Sequence, residues 1–394
     1  MLAGFVDSGC SCGSLVRWGA TAMSEDSLFH SSKSPAASET PGRLGPTALV
    51  LALVLLVALT ASLGVMPATA FARPPMNFVW VGGPGGGGYW GDPTMWDPVG
   101  IPTSIDTATI VASGTYTVYC NGTVQAKTLV LGGSGGNQTL AVVASSTPDG
   151  TSPGSANAFL TVGGGSVVNP NGRLKLLGSS SSQTGWVSLS IDQSFNPGVL
   201  TNHGLVEYDV GGGCSAWQLW GDLTNEADGE FVAAAAVTHN GVGTFVNRGQ
   251  FTVDPGHSFD SGGNNLRFVN EAGDITNHGT FYFHGGLGFE QDAGNTHDQP
   301  IVIEGCLLSL TGSGAASFEA VATLDVAGTL APAQSITVAG PPNAYHGGGT
   351  ATVTFEAPFT VHGLVRLTGG ADSISVNSPH PADALTIGPH RPVS

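Results

Sequence analysis

Residues 245–283 read FVNRGQFTVDPGHSFDSGGNNLRFVNEAGDITNHGTFYF, and this stretch decides the fold. FVN at 245–247, FVN at 268–270 and ITN at 275–277 each lead through a short glycine-containing turn into an alternating strand pattern. The same phrase occurs upstream as LTNHGLVEY (200–208) and LTNEADGEF (223–231). Asn202, Asn225, Asn247 and Asn270 are therefore spaced 23, 22 and 23 apart, with Asn277 a further 7 on. Self-similarity at such a period marks a solenoid, because each unit must bury its apolar face against the next.

The unit contains strand signals and no helical period, so the expected fold is all-β: a right-handed parallel β-helix. A coil of about 22 residues would carry two or three short strands. A β-sandwich would instead place strands every 8–12 residues without the longer register. In stacked coils, each Asn amide can donate to the coil above and accept from the coil below. We assign Asn202, Asn225, Asn247, Asn270 and Asn277 to such a structural ladder, Asn277 marking a second turn on the same coil.

Composition agrees. Glycine contributes 60 of 394 residues, charged residues only 10%, and mean hydropathy is +0.16, which is too apolar for a disordered chain. The glycines have no three-residue period, which excludes collagen. They fit an all-β protein with many tight turns, where glycine supplies backbone angles that other residues resist. The 11 Lys and Arg against 28 Asp and Glu give a net charge of −17 without a basic run. Nucleic acid and anionic membrane surfaces are poor partners for such a chain, because phosphates demand clustered cations.

TALVLALVLLVALTASLGVMPATAFARPP, from Thr47, is the one long apolar run. Its Ala/Val/Leu core precedes Ala68-Thr69-Ala70 and Ala70-Phe71-Ala72, both small-x-small patterns for cleavage of a secretory signal peptide. An uncleaved membrane anchor is the alternative, since about 20 apolar residues span a bilayer. Met23 offers a second start within the long leader. The expected organisation is a leader at 1–46, a signal peptide or anchor at 47–72, a capping segment at 73–106 and a β-helix at 107–394. The chain after residue 72 is expected outside the cytoplasm or on the cell surface. Its cysteines, Cys120, Cys214 and Cys306, have no zinc spacing and suit buried apolar positions.

WVGGPGGGGYWGDPTMWDPVGIPTSIDTATI, residues 80–110, is the most specific stretch. Its pattern W-x-G-G, W-x-D-P-x-x-W, G-x-P-x-x-x-D-x-A-x-I resembles the start of secreted bacterial β-helix repeat proteins of autotransporter-passenger-like or adhesin-like type. The resemblance implies that the aromatic segment caps the first coil and that Asp106-Thr107-Ala108 leads into the first strand. It also implies a surface or extracellular scaffold.

Candidate chemistry is sparse. Arg173 and Lys175, two apart on one strand, form the only close cationic pair that a lyase mechanism would use. Asp222, Glu226, Asp228 and Glu230 form the densest acidic cluster, a candidate weak calcium site, calcium being the one cofactor entertained. His203 and His278 share the T-N-H-G slot, and no metal is assigned to them. Trp217 and Trp220 are the glycan-binding candidates; three apart on a strand, they face opposite sides. The expected role is a non-catalytic adhesive or structural scaffold facing a glycan or cell-envelope surface. A polysaccharide-acting β-helix enzyme is the alternative.

Overall fold

The computed structural model describes residues 73–82, 87–144, 157–178, 186–192, 198–209, 216–263, 265–339, 351–368, 373–377 and 386–387. Residues 1–72, which hold the expected leader and the signal or anchor, lie outside the described residues, as does Cys214. Arg73–Ser394 forms one compact unit. Among the described residues no helix is long and apolar enough to cross a membrane.

The unit is a parallel β-helix with three sheets of 15, 9 and 11 strands. One coil shows the plan. Asp222–Asn225 lies in the first sheet, Glu230–Ala234 in the second and Ala236–His239 in the third; Gly243–Asn247 then returns to the first sheet. It pairs in parallel with the strand one coil earlier, Leu223 opposite Phe245 and Asn225 opposite Asn247. Only the Trp96–Asp97 strand pairs antiparallel among the described strands.

Each strand alternates, as a pleated ribbon with one wet face must. In Gln250–Val253, Phe251 and Val253 point inward; in Thr280–His284, Phe281 and Phe283 do. The inward side chains of all three sheets form one apolar core running along the axis. Cys120 and Cys306 belong to it as free, buried thiols, and burial pushes the Cys306 thiol up to about 12.

Residues 73–106 build an incomplete first coil that closes the N-terminal end. Asn77–Trp80 pairs in parallel with Thr107–Ile110, and Gly88–Tyr89 with Tyr116–Cys120. Trp96 stands edge-on to Trp80 and Trp90 at centroid distances of 5.1 and 5.0 Å, and its Nε1 donates to the Trp90 carbonyl (2.9 Å). The three rings are fully buried and cover core that would otherwise face water.

Asp106 joins cap to coil. Its buried carboxylate pairs with Arg73 and accepts from the Met76 and Thr103 amides (2.9 Å each) and the Thr103 hydroxyl (2.7 Å). Burial acts to raise its pKa, but the guanidinium, hydroxyl and amides outweigh it and hold the carboxyl at about 2. Its carbonyl accepts from the Lys127 amide of the following coil (2.7 Å).

The second sheet ends at Asn295–Asp298. Beyond it, described strands alternate between first and third sheets alone: Leu307–Leu310, Ala316–Ala320, Thr323–Leu330, Gln334–Val338. The change coincides with the end of the Asn-turn-strand phrase that supplied the second-sheet strands upstream.

Candidate functional site

The Asn residues occupy the corner between the first and second sheets. Asn202 Nδ2 donates to Asn225 Oδ1 (2.8 Å), Asn225 to Asn247 (2.9 Å) and Asn247 to Asn270 (3.1 Å); Asn270 hands on to Gln291 Oε1 (3.3 Å). All five side chains are completely buried. The amide nitrogen also reaches the next coil's second strand: Asn202 to the Glu230 carbonyl (2.9 Å) and Asn225 to that of Gln250 (2.8 Å). A buried amide left unpaired costs about 1–3 kcal/mol, so this continuity is what permits polar residues inside the core.

Asn277 does not belong to that stack. It ends a second-sheet strand, between Val253 and Asp298 in register, and its Nδ2 donates to the Gln299 and Pro300 carbonyls (3.3 and 3.1 Å). With no amide side chain in register beside it, Asn277 clips backbone at another corner.

The glycines after these Asn residues have a reason other than backbone angle. A Cβ on Gly273 would lie 2.4 Å from Asn247 Nδ2 of the coil before it, and one on Gly294 would lie 2.6 Å from Asn270 Nδ2. The backbone of each coil rests directly on the amide beneath it, and only glycine allows the approach.

The acidic cluster is dispersed rather than convergent. Asp222 faces outward on the first sheet and accepts from the Thr244 amide (2.6 Å); Glu226 pairs with Arg248 (2.9 Å); Asp228 pairs with His203 (2.7 Å); Glu230 is exposed at the start of a second-sheet strand. Alternate pleat positions and an intervening turn send these side chains in different directions, so the four do not make one calcium site. No group of three or more His, Cys, Asp or Glu suited to a metal occurs among the described residues. Of the cationic pair, Arg173 and Lys175 both face outward from the second sheet, and Lys175 pairs with Glu207 (2.5 Å).

Charged side chains pair from coil to coil elsewhere too. Arg248 also holds Glu271 (2.9 Å), bridging three coils with Glu226. His278 pairs with Asp298 (3.3 Å) and His297 with Asp274 (3.5 Å). The turn histidines of the T-N-H-G slot, His203 and His278, thus each face an aspartate. His239 differs: it is buried, its Nε2 lies 3.1 Å from the Gly221 carbonyl, and burial lowers its pKa.

Trp217 and Trp220 separate as the pleat requires. Trp217 is 2% exposed and packs in the core, so it binds nothing outside; Trp220 is 40% exposed on the outer face of the third sheet. Trp220 Nε1 donates to Gln218 Oε1 (3.3 Å), and its ring covers Gly241 in the next coil, where a Cβ would lie 2.8 Å from the indole.

Farther along that face lies a cluster that neighbouring residues in the sequence do not announce. His284 Nε2 is 2.9 Å from Asp260 Oδ1, which also accepts from the Gly262 amide (2.7 Å). Tyr282 stacks on the His284 ring at 4.7 Å and donates its hydroxyl to Glu304. The buried Ser261 hydroxyl accepts from the His284 amide and donates to its carbonyl, both at 2.8 Å, fixing that strand end. The His284 ring covers Gly263, where a Cβ would lie 3.0 Å from the imidazole. Asp260 to His284 is 24 residues and Tyr282 to Glu304 is 22. The coil period that reveals the Asn ladder would have revealed these pairs as well.

No protein-family model, curated protein or solved structure matches the chain.

Proposed function

We propose that this chain is a secreted or surface-displayed, non-catalytic β-helix scaffold with an adhesive or structural role. The observation that carries the reading is the use made of polar groups. Lys175–Glu207, His203–Asp228, Glu226–Arg248–Glu271, Arg267–Glu290 and His278–Asp298 all join one coil to another. Ionisable groups so placed serve the stack, and that suits a rigid rod built to hold a surface at a distance. The apolar run from Thr47 with its small-x-small sites supports export, and the W-x-D-P-x-x-W opening supports kinship with autotransporter-like and adhesin-like scaffolds.

The second reading, a polysaccharide-acting enzyme, is favoured by one observation: the Asp260–His284 and Tyr282–Glu304 pairs on an open face. The two readings separate in one experiment. The full chain is expressed in an exporting host, located by protease accessibility on intact cells, and incubated with pectin, alginate and chitin. Display with no unsaturated or reducing ends released supports the scaffold; cytoplasmic retention, or release of such ends, overturns it.

A further inference from the structure

The third-sheet face carries two ring groups three strands apart, Trp220 and the Tyr282–His284 pair, each leaning over a glycine of one of the two coils between them. Thr238 and Asp260 are register partners, and three residues beyond each stands a glycine, Gly241 (φ 95°) and Gly263 (φ 66°). The Trp220 ring covers the first and the His284 ring, backed by Tyr282, covers the second. At each glycine the ring takes the place a side chain would occupy, and any other residue would meet both a ring and an unfavourable backbone angle. The same corner presents two further exposed apolar side chains, Val242 and Leu287, each 58% exposed.

We propose that this corner binds a neutral glycan, its sugar rings lying against Trp220 and the Tyr282–His284 pair. This rests on the adhesive reading and names its ligand. A pyranose offers an apolar face and a rim of hydroxyls, and the corner offers the complement: aromatic surface beside carboxylate, imidazole and phenol groups. Asp260 and Glu304 accept hydrogen bonds; His284 and Tyr282 supply both functions. None of these groups is a permanent cation, and Arg267, in register with Gly288 beside Leu287, is engaged by Glu290, so a neutral chain suits the corner better than a phosphate, sulfate or uronate chain. Successive strands lie about 4.8 Å apart, so a chain laid along the axis meets a new coil at intervals comparable to a sugar ring.

The test is calorimetric titration of the full chain with cellohexaose, xylohexaose, mannohexaose and chitohexaose. Saturable binding of at least one is expected, weakened about tenfold or more by Trp220→Ala and severalfold by Tyr282→Phe. Thr224→Ala, on the outer face of the first sheet, should leave binding unchanged. The proposal is overturned if none of the four binds, if choline or a lysine oligomer binds there instead, or if Trp220→Ala binds as well as the parent with its circular dichroism unchanged. Because display is scored separately by protease accessibility, a displayed chain that fails these titrations loses the glycan site and keeps the scaffold reading.

Discussion

The coils built from residues 107–200 and those from 222–291 fill the same kind of interior with different side chains. In the earlier coils several strands give both inward positions to aliphatics: Leu129 with Leu131, Leu140 with Val142, Leu174 with Leu176. In the later coils the first sheet gives one inward position to the amide ladder, and the other becomes phenylalanine at 245, 268 and 289. These rings stack one coil apart, Phe245 on Phe268 at 4.9 Å and 9°, Phe268 on Phe289 at 5.1 Å and 5°. When the ladder ends, the aliphatic pair returns as Leu308 and Leu310. A polar amide inside the core removes apolar area; at three of the five rungs a larger aromatic neighbour restores it, while Leu200 and Leu223 stay beside Asn202 and Asn225.

Breaking this exchange should have unequal effects along the axis. Phe268→Ala removes a ring that meets others in both adjoining coils, and should destabilise by about 4 kcal/mol, read as the shift in urea midpoint. Phe268→Leu, which restores the upstream solution, should cost less than about 1.5 kcal/mol. Asn247→Ala breaks the ladder on both sides and should cost about 2–4 kcal/mol. Asn202→Ala, at the end of the ladder, should cost roughly half of that. Equal losses at 202 and 247 would mean that the amides act singly.

At the cap the expected effect is smaller and depends on pH. The Asp106 carboxyl titrates at about 2 in the folded chain against an ordinary value of 3.8. The folded state therefore holds the proton less tightly, and its advantage is complete above 3.8 and disappears as pH falls toward 2. The span amounts to about 2 kcal/mol. Asp106→Asn should abolish that part of the acid dependence while unfolding at pH 7 becomes easier. Smallest of all, Arg248→Ala removes a half-exposed bridge and should cost less than about 1 kcal/mol, with the difference vanishing in molar salt.

The ladder and the coil were legible in the sequence because Asn is scarce inside proteins and its 22–23 residue interval stands out. Asn277 misleads because its local phrase, ITNHG, copies that of the ladder while its strand belongs to another sheet. The acidic run 222–230 misleads for the opposite reason. Residues adjacent in sequence point apart in a pleat, whereas true neighbours lie a coil away. That rule also hides Asp260, Tyr282, His284 and Glu304, which show no cluster until the chain is folded at its own period. Trp217 and Trp220 were divisible by the pleat, but which of them faced water required the core to be drawn.

The amide ladder runs in one direction, each nitrogen donating toward the C-terminal coil. Such a stack has a head and a tail. Its leading end exposes a donor whose acceptor arrives only with the next coil, so every completed turn is a template for its successor and is not itself finished until covered. The Trp80–Trp90–Trp96 cluster covers the opposite end of the same core, so the two ends of the solenoid differ in kind as well as in direction.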